Sequence, residues 1–172
     1  MHSIIKFNQR ERLKGERKVS YSQYSMYQKC PKQWELAYVK GLRTFSQSIH
    51  TLFGTAFHET LQTYLTVMLE ETAKKANDMD LNKMLLENMQ KEYKNAVEKM
   101  GDHFSTKFEL MEFYNDGVAI LDWVKRHRAR YFSPKSDELV GIEVEIYHPV
   151  TPENDKVLML GYLDIVLRDK RT

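Results

Sequence analysis

Apolar positions along the chain recur near every 3.6 residues up to about residue 133 and every second residue after it. Phe57, Leu61, Tyr64, Leu65 and Met68 form one stripe, which predicts a helix opening at Gly54 and running to about Ala76, where Asn77 and Asp78 break it. Leu81, Met84, Leu85, Met89, Tyr93, Ala96, Val97 and Met100 carry the same period over a second helix that stops at Gly101. A third helix runs from near Thr106 to about Tyr131 with Phe108, Met111, Tyr114, Val118, Leu121 and Val124 on its apolar side, and Ser133-Pro134 closes it. Gly117 lies inside this helix at a cost of up to about 1 kcal/mol against alanine, so close helix packing there would explain it.

Beyond Pro134, Ile142, Val144 and Ile146 alternate with Glu143, Glu145 and Tyr147, the signature of a strand with one apolar and one polar face. Val157 to Leu167 reads as the returning strand of an antiparallel pair. Its nearly unbroken apolar run predicts burial on both faces. At the other end, Lys6 to Lys18 is dense in charge and reads as an exposed arm. Ser20-Tyr21-Ser22-Gln23 resembles a capping box, Pro31 interrupts the short helix it begins, and Gly41 is a plausible stop for the turn carrying Trp34 and Tyr38.

At 172 residues the chain matches one domain by size. With 26 Lys and Arg against 24 Asp and Glu, its formal charge of +2 makes no whole-chain case for a polyanionic partner, so any such case must be local. The single Cys30 excludes an intrachain disulfide, and a buried structural thiol is its expected role. No apolar segment approaches the ~18 residues of a membrane span, and the polar start is unlike a signal peptide, so a cytoplasmic setting is expected.

Within the apolar second strand Asp164 is the anomaly, because a buried carboxylate must be paired or coordinate a metal. It either pairs with Arg168 or Lys170 at a fraying strand end or joins Glu143 from the adjacent strand as oxygen ligands for Mg²⁺ or Mn²⁺. Glu145 reads as an ordinary solvent-facing strand residue, and His58, on the helix opening at Gly54, can complete a metal shell or serve as a packed boundary residue. Lys125, Arg126, Arg128 and Arg130 end the third helix, interleaved with Trp123, Tyr131 and Phe132. Such cations neutralise phosphates and such rings stack on bases, but cations also complement a helix C-terminus.

Three segments carry a family resemblance. Ser20-Tyr21-Ser22-Gln23-Tyr24 with Cys30-Pro31-Lys32-Gln33-Trp34 and Tyr38, then Gly54-Thr55-Ala56-Phe57-His58-Glu59, then Gly161-Tyr162-Leu163-Asp164 resemble, in this order, the PD-(D/E)XK nuclease superfamily. The branch resembled is that of RecB-like and AddB-like nuclease domains, phage exonucleases and CRISPR-adaptation exonucleases. The resemblance implies an α/β, restriction-endonuclease-like fold: a basic arm over 1–19 and a partial nuclease domain over 20–172, helical from 20 to 133 with a β-hairpin over 139–169. It also implies a Mg²⁺- or Mn²⁺-dependent DNA nuclease, an exonuclease or recombination and repair enzyme, with a helicase or recombination protein as companion and, if phage-encoded, the host cytoplasm as its setting. Glu143, Asp164 and His58 match the family's metal and catalytic positions.

The family's Asp/Glu-x-Lys element does not follow Asp164, where only Lys170 occurs, so the sheet is expected to be incomplete at the C-terminus and the chain slow or inactive on DNA by itself. Some members of the branch hold an iron-sulfur cluster through four cysteines, which one Cys30 cannot supply. Two other readings are a non-catalytic DNA-binding or scaffold module with this fold, and a helical protein binding partners through a groove of Met84, Met89, Met100 and Met111. Those methionines also suit an ordinary core.

Overall fold

A computed structural model describes residues 17–42, 47–101, 103–151 and 153–171. The chain is helix-rich with a three-stranded mixed sheet, the α/β architecture the resemblance implies. Its contacts divide it into two compact units, one of residues 1–45 with 140–166 and one of residues 46–139 with 167–172. The arm expected over 1–19 lies outside the described residues up to position 16.

In the first unit, strand β1 (Arg17–Ser20) leads into helix α1 (Tyr21–Lys29), and α2 (Pro31–Trp34) continues as a π-helical turn over Glu35–Val39. Ser20 caps α1, its hydroxyl accepting from the Gln23 backbone N–H at 3.3 Å. Cys30 does the same for α2 through Sγ and the Gln33 N–H, with Pro31 in the first helical turn. That capping role leaves the thiol exposed, which corrects the buried cysteine expected from composition. Sheet order is β1-β3-β2, with β2 (Asp137–Thr151) and β3 (Asn154–Asp169) consecutive along the chain. β1 pairs parallel to β3, Arg17 opposite Val157 and Ser20 opposite Leu160, so the last residues assigned to an arm form an edge strand instead.

Two sheet expectations need correction. Val144 and Tyr147 are buried and Ile146 is exposed, so the predicted alternation changes phase within β2. Glu143, one residue before Val144, has a left-handed φ of 52°, a further local departure from extended strand geometry. In β3, Leu158 is buried, yet Tyr162, Leu163 and Asp164 are all exposed. Burial of both faces therefore fails, and with it the argument that Asp164 is a buried charge.

The second unit is built from α3 (Ile49–Thr66) with a π-helical turn to Glu71, the short α4 (Ala73–Asn77), α5 (Leu81–Met100) and α6 (Lys107–His127). Helix α3 begins five residues before Gly54, because Ser48 accepts from the Thr51 N–H and Ile49, Leu52 and Ala56 extend the buried stripe to the N-terminal side. Tyr64, Leu65 and Met68 join that core from α3 and its turn, and Leu81, Leu85 and Met89 enter it from α5. Gly101 ends α5 at a φ of 79°, a left-handed cap that glycine adopts without a Cβ penalty.

Helix α6 faces inward through Gly117 and Leu121. Phe108, 79% exposed, and Met111 fall off the predicted stripe, since the face fixed by Gly117 passes through Leu110, Phe113 and Tyr114. A Cβ built at Gly117 would lie 2.5 Å from Leu85 Cδ2 and 2.9 Å from the Phe53 ring, so the residue is glycine because α6 crosses α3 and α5 closely there. Among the described residues no helix is long and apolar enough to cross a membrane.

Thr106 and Glu109 close a full capping box at the start of α6, with the Thr106 N–H donating to Glu109 Oε2 at 2.8 Å. That backbone bond, followed by the Thr106 and Ser105 hydroxyls, holds the Glu109 carboxyl below the usual glutamate range. A depressed folded-state value means the stabilisation is full above the ordinary glutamate pKa and is lost as pH falls through the folded one. Glu109→Gln is therefore expected to lower stability at neutral pH, where the ionised carboxylate stabilises fully, and to flatten the acid-side fall below about pH 4.3, so that variant and wild type converge in acid, measured by urea unfolding across pH.

Candidate metal centre and nucleic-acid interface

Glu143 and Asp164 stand on the neighbouring strands β2 and β3, and each offers a carboxylate oxygen within 4.8 Å of the other. Both side chains are exposed. Two hard oxygen donors at that spacing fit Mg²⁺ or Mn²⁺, which bind through one or two carboxylates with substrate phosphate and water completing the shell. Arg168 pairs with Glu138 at 3.5 Å, and Lys170 donates to the Pro134 carbonyl at 2.9 Å.

The left-handed backbone of Glu143 bears on the site as well as on the strand. For a residue with a Cβ such a conformation costs roughly 1–2 kcal/mol. Outliers of this kind collect where surrounding structure imposes a side-chain direction for function. Glu145, by contrast, is half-buried and accepts from the Tyr162 hydroxyl at 3.4 Å, so it is less solvent-facing than the alternation in the sequence predicts.

His58 lies in the second unit, in the third turn of α3 and not at its start, and is half-buried. Its Nε2 and the Gln62 side-chain amide are 2.5 Å apart. A contact of this kind fixes the orientation of the ring. Gln62 was not singled out from sequence, although the four-residue spacing from His58 on one helix face is the signal that could have found it.

The basic end of α6 divides into two kinds of residue. Lys125 and Arg128 are half-buried: the Lys125 ammonium donates to the Met79 carbonyl at 3.2 Å, and Arg128 donates to the Tyr64 hydroxyl at 2.6 Å and to the Lys125 carbonyl at 2.9 Å. Burial pushes the Tyr64 hydroxyl pKa up, opposed by the charge of Arg128 beside it. Arg126 and Arg130 are exposed, close in sequence to exposed Trp123 and Tyr131. Arg126 donates to the Asp122 carbonyl and His127 to the Trp123 carbonyl, so part of this cluster complements the helix C-terminus.

Arg128→Ala is expected to cost about 1–3 kcal/mol of stability, because it removes a charged donor from a buried hydroxyl. Arg126→Ala should stay within about 0.5 kcal/mol. Denaturant unfolding of the two variants separates these roles.

The methionine groove is present only in part. Met89 is buried and Met84 half-buried, while exposed Met111 lines an open groove of about 390 Å³ between α5 and α6 with Leu86, Tyr93 and Tyr114. The side chain of Met100 lies outside the described residues.

No curated protein and no solved structure matches the chain. The model of the PD-(D/E)XK nuclease superfamily, whose members use divalent metals such as Mg²⁺, matches residues 18–172. That span takes in β1 from Lys18 onward, every helix among the described residues and both long strands, and the chain belongs to the PD-(D/E)XK nuclease superfamily.

Proposed function

We propose that the protein is a divalent-metal-dependent deoxyribonuclease of the end-processing kind, an exonuclease or recombination and repair nuclease, in which Glu143 and Asp164 hold one cation and His58 is a further catalytic residue. The observation that carries this reading is the approach of the Glu143 and Asp164 carboxylates on adjacent strands, within a chain of nuclease family membership. Bound there, Mg²⁺ or Mn²⁺ would polarise the scissile phosphate and lower the pKa of an attacking water. Glu143 and Asp164 supply the negative charge that holds the ion. Gln62 fixes the orientation of the His58 imidazole, and exposed Arg126 and Arg130 take DNA phosphates, with Lys125 and Arg128 adding charge from a more structural position.

The superfamily's lysine assists the attacking water, and no Asp/Glu-x-Lys triplet follows Asp164 in this sequence. The 172-residue chain is accordingly expected to bind the ion yet cleave DNA slowly or not at all by itself. A helicase or recombination protein as companion and a cytoplasmic setting belong to the same proposal. Titration calorimetry with Mn²⁺ tests it, one ion per chain being the expected stoichiometry. An absence of binding would favour the non-catalytic DNA-binding scaffold. Rapid metal-dependent cleavage by the pure chain would refute the expected inactivity while upholding the nuclease.

A further inference from the structure

Helix α1 carries an aromatic surface that the proposed metal chemistry does not use. Tyr21, Tyr24 and Tyr27 are 75%, 47% and 51% exposed, large values for rings of this size. They recur every three residues, so their Cα atoms advance about 4.5 Å per step along the axis and their directions stay within about 120° of one another. The result is a row of three rings on one side of a helix. Tyr27 meets Trp34 edge to face at 5.5 Å, and Tyr24 accepts from the Gln28 amide at 2.6 Å, so two of the rings are braced in outward-facing positions.

The charge around this row has one sign. Arg17, Lys18, Lys29, Lys32 and Lys40 stand against a single acid, Glu35, between residues 17 and 42, a local excess of four positive charges in a chain whose formal total is only +2. Glu35 is already engaged by Lys32 at 2.8 Å and Lys40 at 3.2 Å. Arg17, Lys18 and Lys29 are exposed, flanking the rings at both ends of α1. Exposed rings that offer a π-face to any base, set among cations that follow a phosphate backbone, are the two components of sequence-tolerant single-strand binding. Duplex DNA keeps its base faces stacked and presents only phosphates and groove edges to such a surface.

We propose that α1 is a stacking platform for single-stranded DNA, with Tyr21, Tyr24 and Tyr27 each taking a base and Arg17, Lys18 and Lys29 taking the backbone. The proposal rests on the nuclease reading for the choice of DNA as ligand and assigns that substrate an unpaired segment. It requires no metal ion.

The test is fluorescence anisotropy of the full chain, in EDTA, with a labelled oligothymidylate of about 12 nucleotides and a duplex of equal length. The triple variant Tyr21→Ala, Tyr24→Ala, Tyr27→Ala is expected to weaken oligothymidylate binding by at least about 10-fold and to leave duplex binding unchanged. The corresponding triple phenylalanine variant keeps the rings and should retain affinity. Lys18→Gln with Lys29→Gln should lower the salt dependence of log K by about 1.4, two phosphates at about 0.7 each. Circular dichroism confirms that helix content is kept in each.

Failure of the wild-type chain to bind oligothymidylate would overturn the platform. So would wild-type affinity in the alanine variant, equal losses on single strand and duplex, or a phenylalanine variant as weak as the alanine one. Mn²⁺ calorimetry on the same variants separates the two readings: a chain that binds oligothymidylate through these rings but takes up no ion keeps the platform and loses the nuclease.

Discussion

Asp164→Ala is expected to abolish measurable Mn²⁺ or Mg²⁺ binding, weakening it by more than about 100-fold, while leaving the stability of the metal-free chain within about 0.5 kcal/mol of wild type. The first half follows from the small donor set. Changing a group that merely supports a ligand costs 10–100-fold in affinity, and Asp164 is one of only two carboxylates in the set, so its removal must cost more. The second half follows from exposure: an exposed strand residue can be truncated with little effect on folding. Thermal unfolding supplies an independent reading. At a Mn²⁺ concentration about 100 times its Kd the ion adds about 2.7 kcal/mol, or a Tm rise of roughly 5–11 °C for a chain of this size. That rise should vanish in the variant. Wild-type binding by Asp164→Ala would remove Asp164 from the site and leave the scaffold as the better account.

What could be read from sequence depended on whether the deciding contacts were local. The bounds of α5 and α6 were legible because their caps are neighbours in the chain: Asp80 accepts from the Lys83 N–H, Gly101 closes the far end, and Thr106 and Glu109 bond each other three residues apart. Strand β1 was not legible, since four residues beginning Arg-Lys become a strand only by pairing with Val157–Leu160, some 140 positions later. The start of α3 was missed for a smaller reason. Gly54 looks like a boundary, yet Ser48 had already provided the cap.

At the candidate site the residue types were legible and their environment was not. An apolar run such as Val157–Leu167 reports that a strand is β-prone without saying what layer covers it, so the burial argued for Asp164 does not hold although its closeness to Glu143 does. The backbone of Glu143 could not be foreseen, because a left-handed glutamate is selected by its surroundings against its own preference. Sequence also treated the cations at the end of α6 as equivalent, whereas Lys125 and Arg128 reach the Met79 carbonyl and the Tyr64 hydroxyl through long-range packing.

Gly117→Val tests the close crossing of the helices and should lower stability by about 1–3 kcal/mol, which at 2 kcal/mol is a Tm loss of about 4–8 °C. Replacing a helix-interior glycine by valine recovers a few tenths of a kcal/mol in propensity, so the loss must come from packing. The atoms in the way are the buried Leu85 side chain and a half-buried Phe53 ring held between Phe57 at 5.5 Å and Phe113 at 5.4 Å. Alanine at 117 already places its Cβ 2.5 Å from Leu85 Cδ2, so its gain of about 1 kcal/mol in propensity is offset by that overlap and it should still destabilise, though less than valine. A double-mutant cycle isolates the contact. Leu85→Ala alone is expected to cost about 2–5 kcal/mol as a cavity, but combined with Gly117→Val the valine occupies part of that space, and the pair should fall short of additivity by about 0.5–3 kcal/mol. Strict additivity in urea unfolding would mean that α5 and α6 do not meet at these two residues.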